Sequence, residues 1–340
     1  MRLTDTRGLA MLAAAGWAVL AMADARPLVP SRTGCSVEKI SEFARPAEPC
    51  SLSSVTCVSG NRYWSATDWN SAIWEFELDF NAAGAPCGCR LRELFRPEGT
   101  VDVEGIAYDP LDGSVWLADE RQGTIKRHDP GTGAATCEVE LPPSLKNFRR
   151  DSGLESLAIS ADGMSMWTCL EEAAKGDSPR STRKSGTDVR LTRFVRTGAN
   201  APWTLDGQWA YRTDSIAGGK WFNKKGTDIS RSGVSALCMP RPDTLLVLER
   251  EFSRVVFPRF RCRLYAVNLG GATNVKSIPS LEGEKSFVRA EKKLLFETTG
   301  FSMYEGVCAD PPAPDGSVRI TLVSDGDKKT LRSVLVLKLH

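Results

Sequence analysis

The sequence predicts an all-β protein, specifically a β-propeller with five or six four-stranded blades. A hairpin pattern recurs along most of the chain, and further strand-like runs follow each copy. In the clearest copy, an apolar run over residues 103–108 leads through Asp112-Gly113 into a second run over 115–120. Two short alternating runs around a glycine-containing turn are typical of a β-hairpin.

The number and spacing of the copies indicate blades. Other copies of the hairpin begin near residues 53, 154, 234 and 304. Additional strand-like runs follow at 73–80, 124–127, 191–196, 264–268 and 334–337, so each repeat supplies about four strands. Four-stranded units repeated every 40–50 residues or so are typical of propeller blades. Five units are visible, and the longer gaps between later copies leave room for a sixth.

The N-terminal residues 1–25 have the features of a signal peptide. Arg2 and Arg7 flank a short polar start, an apolar run covers 8–22, and Ala23-Asp24-Ala25 is a small-residue cleavage site. The apolar run is short for a membrane span, and polar sequence follows it at once. We therefore expect a secreted or periplasmic protein with no membrane association after cleavage. Residues 26–50 then form an N-terminal segment, and 51–340 form the propeller domain.

Composition narrows the classes of partner and of catalytic site. The net charge is +2, with 44 basic and 42 acidic residues, which gives no reason to expect nucleic-acid binding. We expect a monomer that binds a small anionic or ester substrate. Only His128 and His340 are present, too few for a zinc finger. A Ser–His–Asp triad could use only His128, which lies in a turn beside a predicted outer strand.

Ten cysteines in an oxidising compartment predict disulfide bonds. Three of them occupy repeat positions that hold alanine in other copies, and we expect these to be small buried residues: Cys169, Cys238 and Cys308. The remaining disulfide candidates are Cys35, Cys50, Cys57, Cys87, Cys89, Cys137 and Cys262. Cys89 and Cys137 lie on comparable outer strands of successive blades and could join them.

Acidic residues recur at one end of each hairpin. In a propeller blade the first strand lines the central channel and the second runs antiparallel to it, so the start of the first strand and the end of the second lie at the same mouth. Glu104, Glu155 and Glu305 stand at first-strand starts. The acids at second-strand ends are Asp68, Asp119, Glu120, Glu171, Glu249 and Asp325. We expect all of them around one rim of the channel.

Converging carboxylates repel one another unless they are protonated, solvated or bridged by cations. A Ca²⁺ ion, which takes six to eight oxygen ligands, would satisfy such a group. The predicted ligands are Glu104, Glu155, Glu305, Asp119, Glu249 and Asp325. A metal there could polarise an ester or phosphoryl oxygen and activate water, with another carboxylate as general base. The alternative is that these acids cap turns and bind the backbone of neighbouring blades.

Basic residues are concentrated in loops that the same geometry places on this rim. The loops cover residues 175–190, 220–231, 250–259 and 327–329. Arginine binds phosphate and carboxylate groups through two parallel hydrogen bonds, so these loops favour an anionic ligand. The alternative is that they are solvated surface loops with no binding role.

The repeats carry a family resemblance. The motifs are Glu104-Gly-Ile-Ala-Tyr-Asp, Trp116-Leu-Ala-Asp-Glu, Gly153-Leu-Glu-Ser-Leu-Ala, Leu246-Val-Leu-Glu-Arg-Glu, Tyr304-Glu-Gly-Val and Val323-Ser-Asp-Gly-Asp. In sequence and in order they resemble the motifs of the phytase-like family, also described as having an esterase-like phytase domain. The resemblance implies a secreted propeller and a metal-assisted hydrolase of phosphate or carboxylic esters. The residues expected to act in catalysis are Glu104, Glu155, Glu305 and Arg250.

Two other functions remain open from the sequence. One is a non-catalytic propeller that binds an anionic ligand or a partner, and the other is a lactonase or strictosidine-synthase-like propeller. The Arg-His-Gly-x-Arg-x-Pro element of histidine acid phosphatases does not occur in the chain. Chelation combined with a panel of ester and lactone substrates would separate the three functions.

Overall fold

The computed structural model describes residues 28–44, 51–67, 70–254, 258–326 and 332–340. The predicted signal peptide, Cys50, Asp68 and the basic loop 327–329 lie outside the described residues. Within the described part of the chain, no helix is long and apolar enough to span a bilayer.

The described residues form five antiparallel sheets of four strands each. In chain order the strands are β1 (Val37–Ala44), β2 (Thr56–Ser59), β3 (Arg62–Ala66), β4 (Ile73–Phe80), β5 (Pro86–Phe95), β6 (Val103–Tyr108), β7 (Val115–Asp119), β8 (Thr124–His128), β9 (Ala135–Glu138), β10 (Ala158–Ile159), β11 (Ser165–Thr168), β12 (Asp188–Val195), β13 (Thr204–Arg212), β14 (Arg231–Arg241), β15 (Thr244–Arg254), β16 (Pro258–Asn268), β17 (Glu291–Gly300), β18 (Met303–Ala309), β19 (Val318–Asp325) and β20 (Ser333–Leu339). One short helix, α1 (Pro143–Lys146), follows β9.

Each sheet is one blade. Blade 1 consists of β2–β5, blade 2 of β6–β9, blade 3 of β10–β13 and blade 4 of β14–β17. Blade 5 has the order β18-β19-β20-β1, with β18 innermost. The predicted β-propeller of four-stranded blades is therefore confirmed, and the number of blades is five.

The N-terminal strand closes the ring. Strand β1 pairs antiparallel with β20, from Val37 opposite Leu339 to Ala44 opposite Ser333. Part of the segment 26–50, which the sequence separates from the propeller, thus completes blade 5. Its eight residues are all partly or fully exposed, so the apolar alternation that signals a strand is weak there.

Tyr304 connects this closing strand to the innermost strand of the same blade. Its hydroxyl donates to Glu42 Oε1 at 2.8 Å and lies 2.9 Å from Ser333 Oγ. The Tyr304→Phe substitution should lower the free energy of unfolding by about 1–3 kcal/mol, because it removes a hydrogen bond to a carboxylate and one to a buried hydroxyl. Urea denaturation would measure this loss. Tyr108→Phe is the control, since the Tyr108 hydroxyl makes no hydrogen bond within the described residues; equal losses in both variants would contradict the assignment.

The middle strands are buried on both faces because each blade packs between two others. All five residues of β7 and all four of β11 are buried. Trp116 of β7 packs edge-to-face on Trp203, with ring centroids 6.0 Å apart, and this contact joins blades 2 and 3. A strand covered on both faces has a continuous apolar run instead of an alternating one.

The cysteines differ from the prediction. No disulfide joins any two of the nine described cysteines, so the predicted Cys89–Cys137 bond is absent. These residues lie on β5 and β9, the outermost strands of successive blades, and blades diverge as they extend from the propeller axis. By contrast, Cys169, Cys238 and Cys308 are buried, as their repeat positions predict.

Candidate functional site

Bulges interrupt the pairing of three inner strands beside the channel. The pairing register shifts between Val103 and Gly105, between Val234 and Ala236, and between Tyr304 and Gly306. The residues skipped at these shifts are Glu104, Ser235 and Glu305. A β-bulge re-aims the side chain of the extra residue and is common beside functional sites.

The repeat places Ser54 of blade 1 and Glu155 of blade 3 in the same position as these bulged residues. We call the five residues the axial ring: Ser54, Glu104, Glu155, Ser235 and Glu305. Ser54, Glu104 and Glu155 line one narrow stretch of the channel. The expected meeting of first-strand acids at one mouth therefore holds for Glu104 and Glu155.

Glycine after a ring glutamate lets the inner strands approach closely. A Cβ on Gly105 would lie 3.0 Å from the Ser156 carbonyl carbon, and one on Gly306 would lie 2.8 Å from that of Ser54. A side chain at either position would push neighbouring blades apart. The glycines of the Glu-Gly pairs thus allow the inner strands of neighbouring blades to lie close together.

Arg250 lies among the acids of the rim. It extends from β15 of blade 4, and its Nη2 donates to Glu171 Oε1 of blade 3 at 2.6 Å. Its Nη1 donates to Glu305 Oε1 of blade 5. Burial opposes the charged form, but the negative charges of Glu171, Glu155 and Glu104 raise the pKa of Arg250. The charge of Glu305 is therefore balanced by an arginine of the chain itself.

Glu104 and two further carboxylates form a group with the spacing of metal ligands. Asp102, Glu104 and Glu120 each place a carboxylate oxygen within 4.8 Å of the other two. Oxygens bound to one Ca²⁺ ion at about 2.3–2.6 Å can be up to about 5 Å apart, so this spacing fits such an ion. We call these residues the carboxylate triad. It is the one group of this kind among the described residues.

The electrostatics of the carboxylate triad favour a divalent cation. Arg121 Nε lies 2.7 Å from Asp102 Oδ2 and offsets one of the three negative charges. Burial raises the pKa of Asp102 and of Glu120, and Glu171 raises the pKa of Glu120 further. A carboxylate with a raised pKa is costly to ionise, and a cation would remove that cost.

Two of the predicted ligands are engaged elsewhere. Asp119 accepts hydrogen bonds from the backbone N–H groups of Val101 at 2.6 Å and Gln122 at 2.8 Å, so it caps a turn. Glu249 is fully buried and accepts from Tyr211 Oη and Lys292 Nζ, both at 2.5 Å. Turn capping and contact between blades are the alternative that the sequence left open.

The remaining predicted residues are distributed as follows. Asp325 ends β19, and its backbone is paired with that of Met303. Asp68 lies outside the described residues.

The sequence interpretation did not include Asp102 as a ligand, although it stands two positions before Glu104. The pairing register of β6 shifts between Val103 and Gly105, so strand alternation does not give the direction of Asp102 relative to Glu104, and the sequence carried no clear signal for this ligand.

The basic loops contribute less to the rim than predicted. Arg190 is buried in an ion pair with Asp177, at 2.6 Å, and fixes a loop instead of facing the channel. Arg180 pairs with Glu172 at 2.8 Å. Arg231 does reach the rim, where its Nη1 lies 3.7 Å from Glu171 Oε2.

A cavity of about 300 Å³ adjoins Arg250. Its lining consists of Ile229, Arg231, Arg250, Phe252 and Met303. The indole ring of Trp221 stacks on Phe252 with centroids 3.8 Å apart and so supports this wall. The acidic mouth of the channel therefore has beside it a pocket that is lined by three apolar side chains and two arginines.

Comparison with known proteins identifies the family. The profile described as "Phytase-like: Esterase-like activity of phytase" matches residues 50–328. The chain belongs to the phytase-like family. The match includes the carboxylate triad, the axial ring and Arg250, and it confirms the resemblance carried by the repeat motifs. No curated protein matches the sequence.

Several solved structures are similar over most of their length. The PQQ-bound aldose sugar dehydrogenase of Streptomyces coelicolor is 15% identical, covers 91% of this chain and 100% of its own, and has a TM-score of 0.45. Glutaminyl cyclase of Myxococcus xanthus is 11% identical, covers 92% and 100%, and has a TM-score of 0.39. The WD40 propeller domain of Doa1 is 8% identical, covers 90% and 97%, and has a TM-score of 0.37.

Proposed function

We propose that this protein hydrolyses phosphate or carboxylic esters at the acidic mouth of the channel, assisted by a Ca²⁺ ion held by the carboxylate triad. The observation that carries this proposal is the convergence of Asp102, Glu104 and Glu120 oxygens within 4.8 Å. It occurs in a member of a family described by esterase-like activity. Export and a monomeric state are part of the proposal, on the basis of the N-terminal sequence and the composition.

A divalent cation in the carboxylate triad would polarise the ester oxygen and lower the pKa of a bound water. We assign the general base to Glu155, which lines the same stretch of the channel as Glu104. It accepts a proton as the water oxygen bonds to the phosphorus or acyl carbon. The ester bond then breaks, and Glu155 returns the proton to the departing alcohol.

Arg250 acts as a positioning residue in this scheme. Its two ion pairs hold Glu171 and Glu305 at the mouth, and its side chain is only 16% exposed. The more exposed Arg231 lines the adjoining cavity and can bind the anionic part of a substrate.

The test is hydrolysis of 4-nitrophenyl phosphate and 4-nitrophenyl acetate by protein treated with a chelator, with and without added Ca²⁺. The proposal predicts turnover that is lost on chelation and restored by the ion. Hydrolysis that persists after chelation would remove the metal from the reaction. If chelation lowers the melting temperature and neither ester is hydrolysed, the protein is a ligand-binding propeller with a structural ion.

Substitution of Glu120 should maintain or raise the stability of the metal-free protein and should lower the stability of the Ca²⁺-bound protein. The folded-state pKa of Glu120 is raised above 4.5, so at neutral pH its charge destabilises the fold. Without metal, Glu120→Gln should therefore be at least as stable as the wild type at pH 7, with the difference vanishing near pH 4. Gln can still accept the Gly153 N–H that now lies 3.0 Å from Oε1. With Ca²⁺, the variant should lose the stabilisation that the ion gives the wild type.

Urea denaturation with and without Ca²⁺ would measure both effects. Glu138→Gln, on the exposed outer strand of the same blade, is the control for the change of charge. A Glu120→Gln variant that is less stable without metal and equally stabilised by Ca²⁺ would show that Glu120 is not a ligand.

A further inference from the structure

We infer that the site selects a small ester with one anionic group and one apolar group, in preference to a densely phosphorylated substrate such as inositol hexakisphosphate. This inference rests on the proposed function for the reaction itself. Its basis is the charge of the rim and the lining of the cavity beside Arg250.

Acidic side chains outnumber basic ones in the interacting cluster at the rim. The acids are Asp102, Glu104, Glu120, Asp151, Glu155, Glu171, Glu172 and Glu305. The cations are Arg121, Arg150, Arg180, Arg231 and Arg250. A single divalent cation would not make this described cluster positive. A ligand with many phosphate groups would therefore meet net repulsion.

Most of these arginines already have a carboxylate partner. Arg121 pairs with Asp102 at 2.7 Å, Arg180 with Glu172 at 2.8 Å, and Arg250 with Glu171 and Glu305. Recognition of several phosphates needs several cationic groups with free donors. These ion pairs occupy donors of three of the five arginines, and Arg150, whose side chain is 96% exposed, lies outside the lining of the cavity.

Arg231 is the cation best placed to bind a ligand. Its Nη1 donates to the Asp151 carbonyl oxygen at 3.1 Å, whereas its Nε and Nη2 have no hydrogen bond within the described residues. Its side chain is 38% exposed and lines the cavity. These donors can bind one carboxylate or phosphate group through two parallel hydrogen bonds.

The rest of the cavity is apolar. Ile229, Phe252 and Met303 form its walls, and its volume is about 300 Å³. Small-ligand pockets are generally lined by apolar and aromatic side chains with a few polar groups that fix orientation. An aryl or short alkyl group fits these walls, while the hydroxyl and phosphate groups of an inositol phosphate would lose water there without polar partners.

Calorimetry in the presence of Ca²⁺ tests this selectivity with phenylphosphonate, inorganic phosphate and inositol hexakisphosphate as probes. Phenylphosphonate should bind at least about 10-fold more tightly than either of the others. Arg231→Gln should weaken phenylphosphonate binding about 10-fold, whereas Arg254→Gln, an exposed arginine on β15, should leave it unchanged. Tighter binding of inositol hexakisphosphate, or an unaffected Arg231→Gln variant, would overturn the inference.

Two further variants test the apolar wall of the cavity independently of Arg231→Gln. Ile229→Ala and Phe252→Leu should each weaken phenylphosphonate binding several-fold and leave inorganic phosphate binding unchanged. Equal weakening of both ligands would contradict an apolar subsite.

Turnover measurements distinguish a failure of this inference from a failure of the proposed function. Faster hydrolysis of inositol hexakisphosphate than of 4-nitrophenyl phosphate would overturn the selectivity while supporting an ester hydrolase. Preferred binding of phenylphosphonate with no hydrolysis of any ester would support the ligand class and remove the hydrolase.

Discussion

Replacing Glu104 with Gln should lower kcat/KM for ester hydrolysis by about 100-fold or more and abolish the stabilisation of the fold by Ca²⁺. The substitution keeps the size of the side chain and removes one of the three negative charges of the carboxylate triad. Loss of a residue that only supports a metal ligand typically costs about 10–100-fold in affinity or activity, so loss of a ligand should cost at least as much. Steady-state kinetics and thermal unfolding at several Ca²⁺ concentrations would measure the two effects.

The control for Glu104 is again Glu138→Gln, which makes the same chemical change on the exposed β9 strand of blade 2. It should retain wild-type turnover and the full response to Ca²⁺. A Glu104→Gln variant that also retains both would show that this residue neither binds the ion nor takes part in the reaction.

The second large effect is expected for Arg250→Met, which should destabilise the fold by about 3–5 kcal/mol. The side chains of Glu171 and Glu305 are only 2% and 7% exposed, and both pair with Arg250. Removing the arginine leaves these charges without that partner at the junction of blades 3, 4 and 5. Urea denaturation at pH 7 would measure the loss.

A triple variant isolates the electrostatic cause of that effect. Adding Glu171→Gln and Glu305→Gln to Arg250→Met removes the uncompensated charges and should recover most of the lost stability. Arg254→Met, near the exposed end of the same strand, should have little effect. A triple variant as unstable as Arg250→Met would attribute the loss to packing instead of charge.

Much of the fold was predictable because the repeat encodes it locally. Each hairpin combines apolar runs with a turn, and Gly113, Gly163 and Gly316 have the positive φ that such turns require. The closing strand was not predicted. Val37–Ala44 pairs with β20 at the opposite end of the chain, and its partly exposed residues leave little apolar pattern to detect.

The sequence predicts that the site lies at one mouth of the channel, but it does not predict the side-chain contacts there. Strand direction alone places Glu104 and Glu155 together, and both line the channel there. Strand direction cannot show that the long side chain of Arg250 reaches Glu171 and Glu305 on two neighbouring blades. It also does not show that the Asp119 carboxylate binds the backbone N–H groups of Val101 and Gln122. Side-chain direction at bulges and turns depends on tertiary packing, so Asp102 and Glu120 emerge as partners of Glu104 only in the folded chain.

The most direct test of the central claim is a calorimetric Ca²⁺ titration of chelator-treated protein, with ester turnover measured on the same samples. The account predicts binding of one equivalent of Ca²⁺ by the wild type, turnover that rises in proportion to the bound ion, and neither response in Glu104→Gln. Equal Ca²⁺ binding by the wild type and Glu104→Gln, or turnover that does not depend on bound ion, would contradict it.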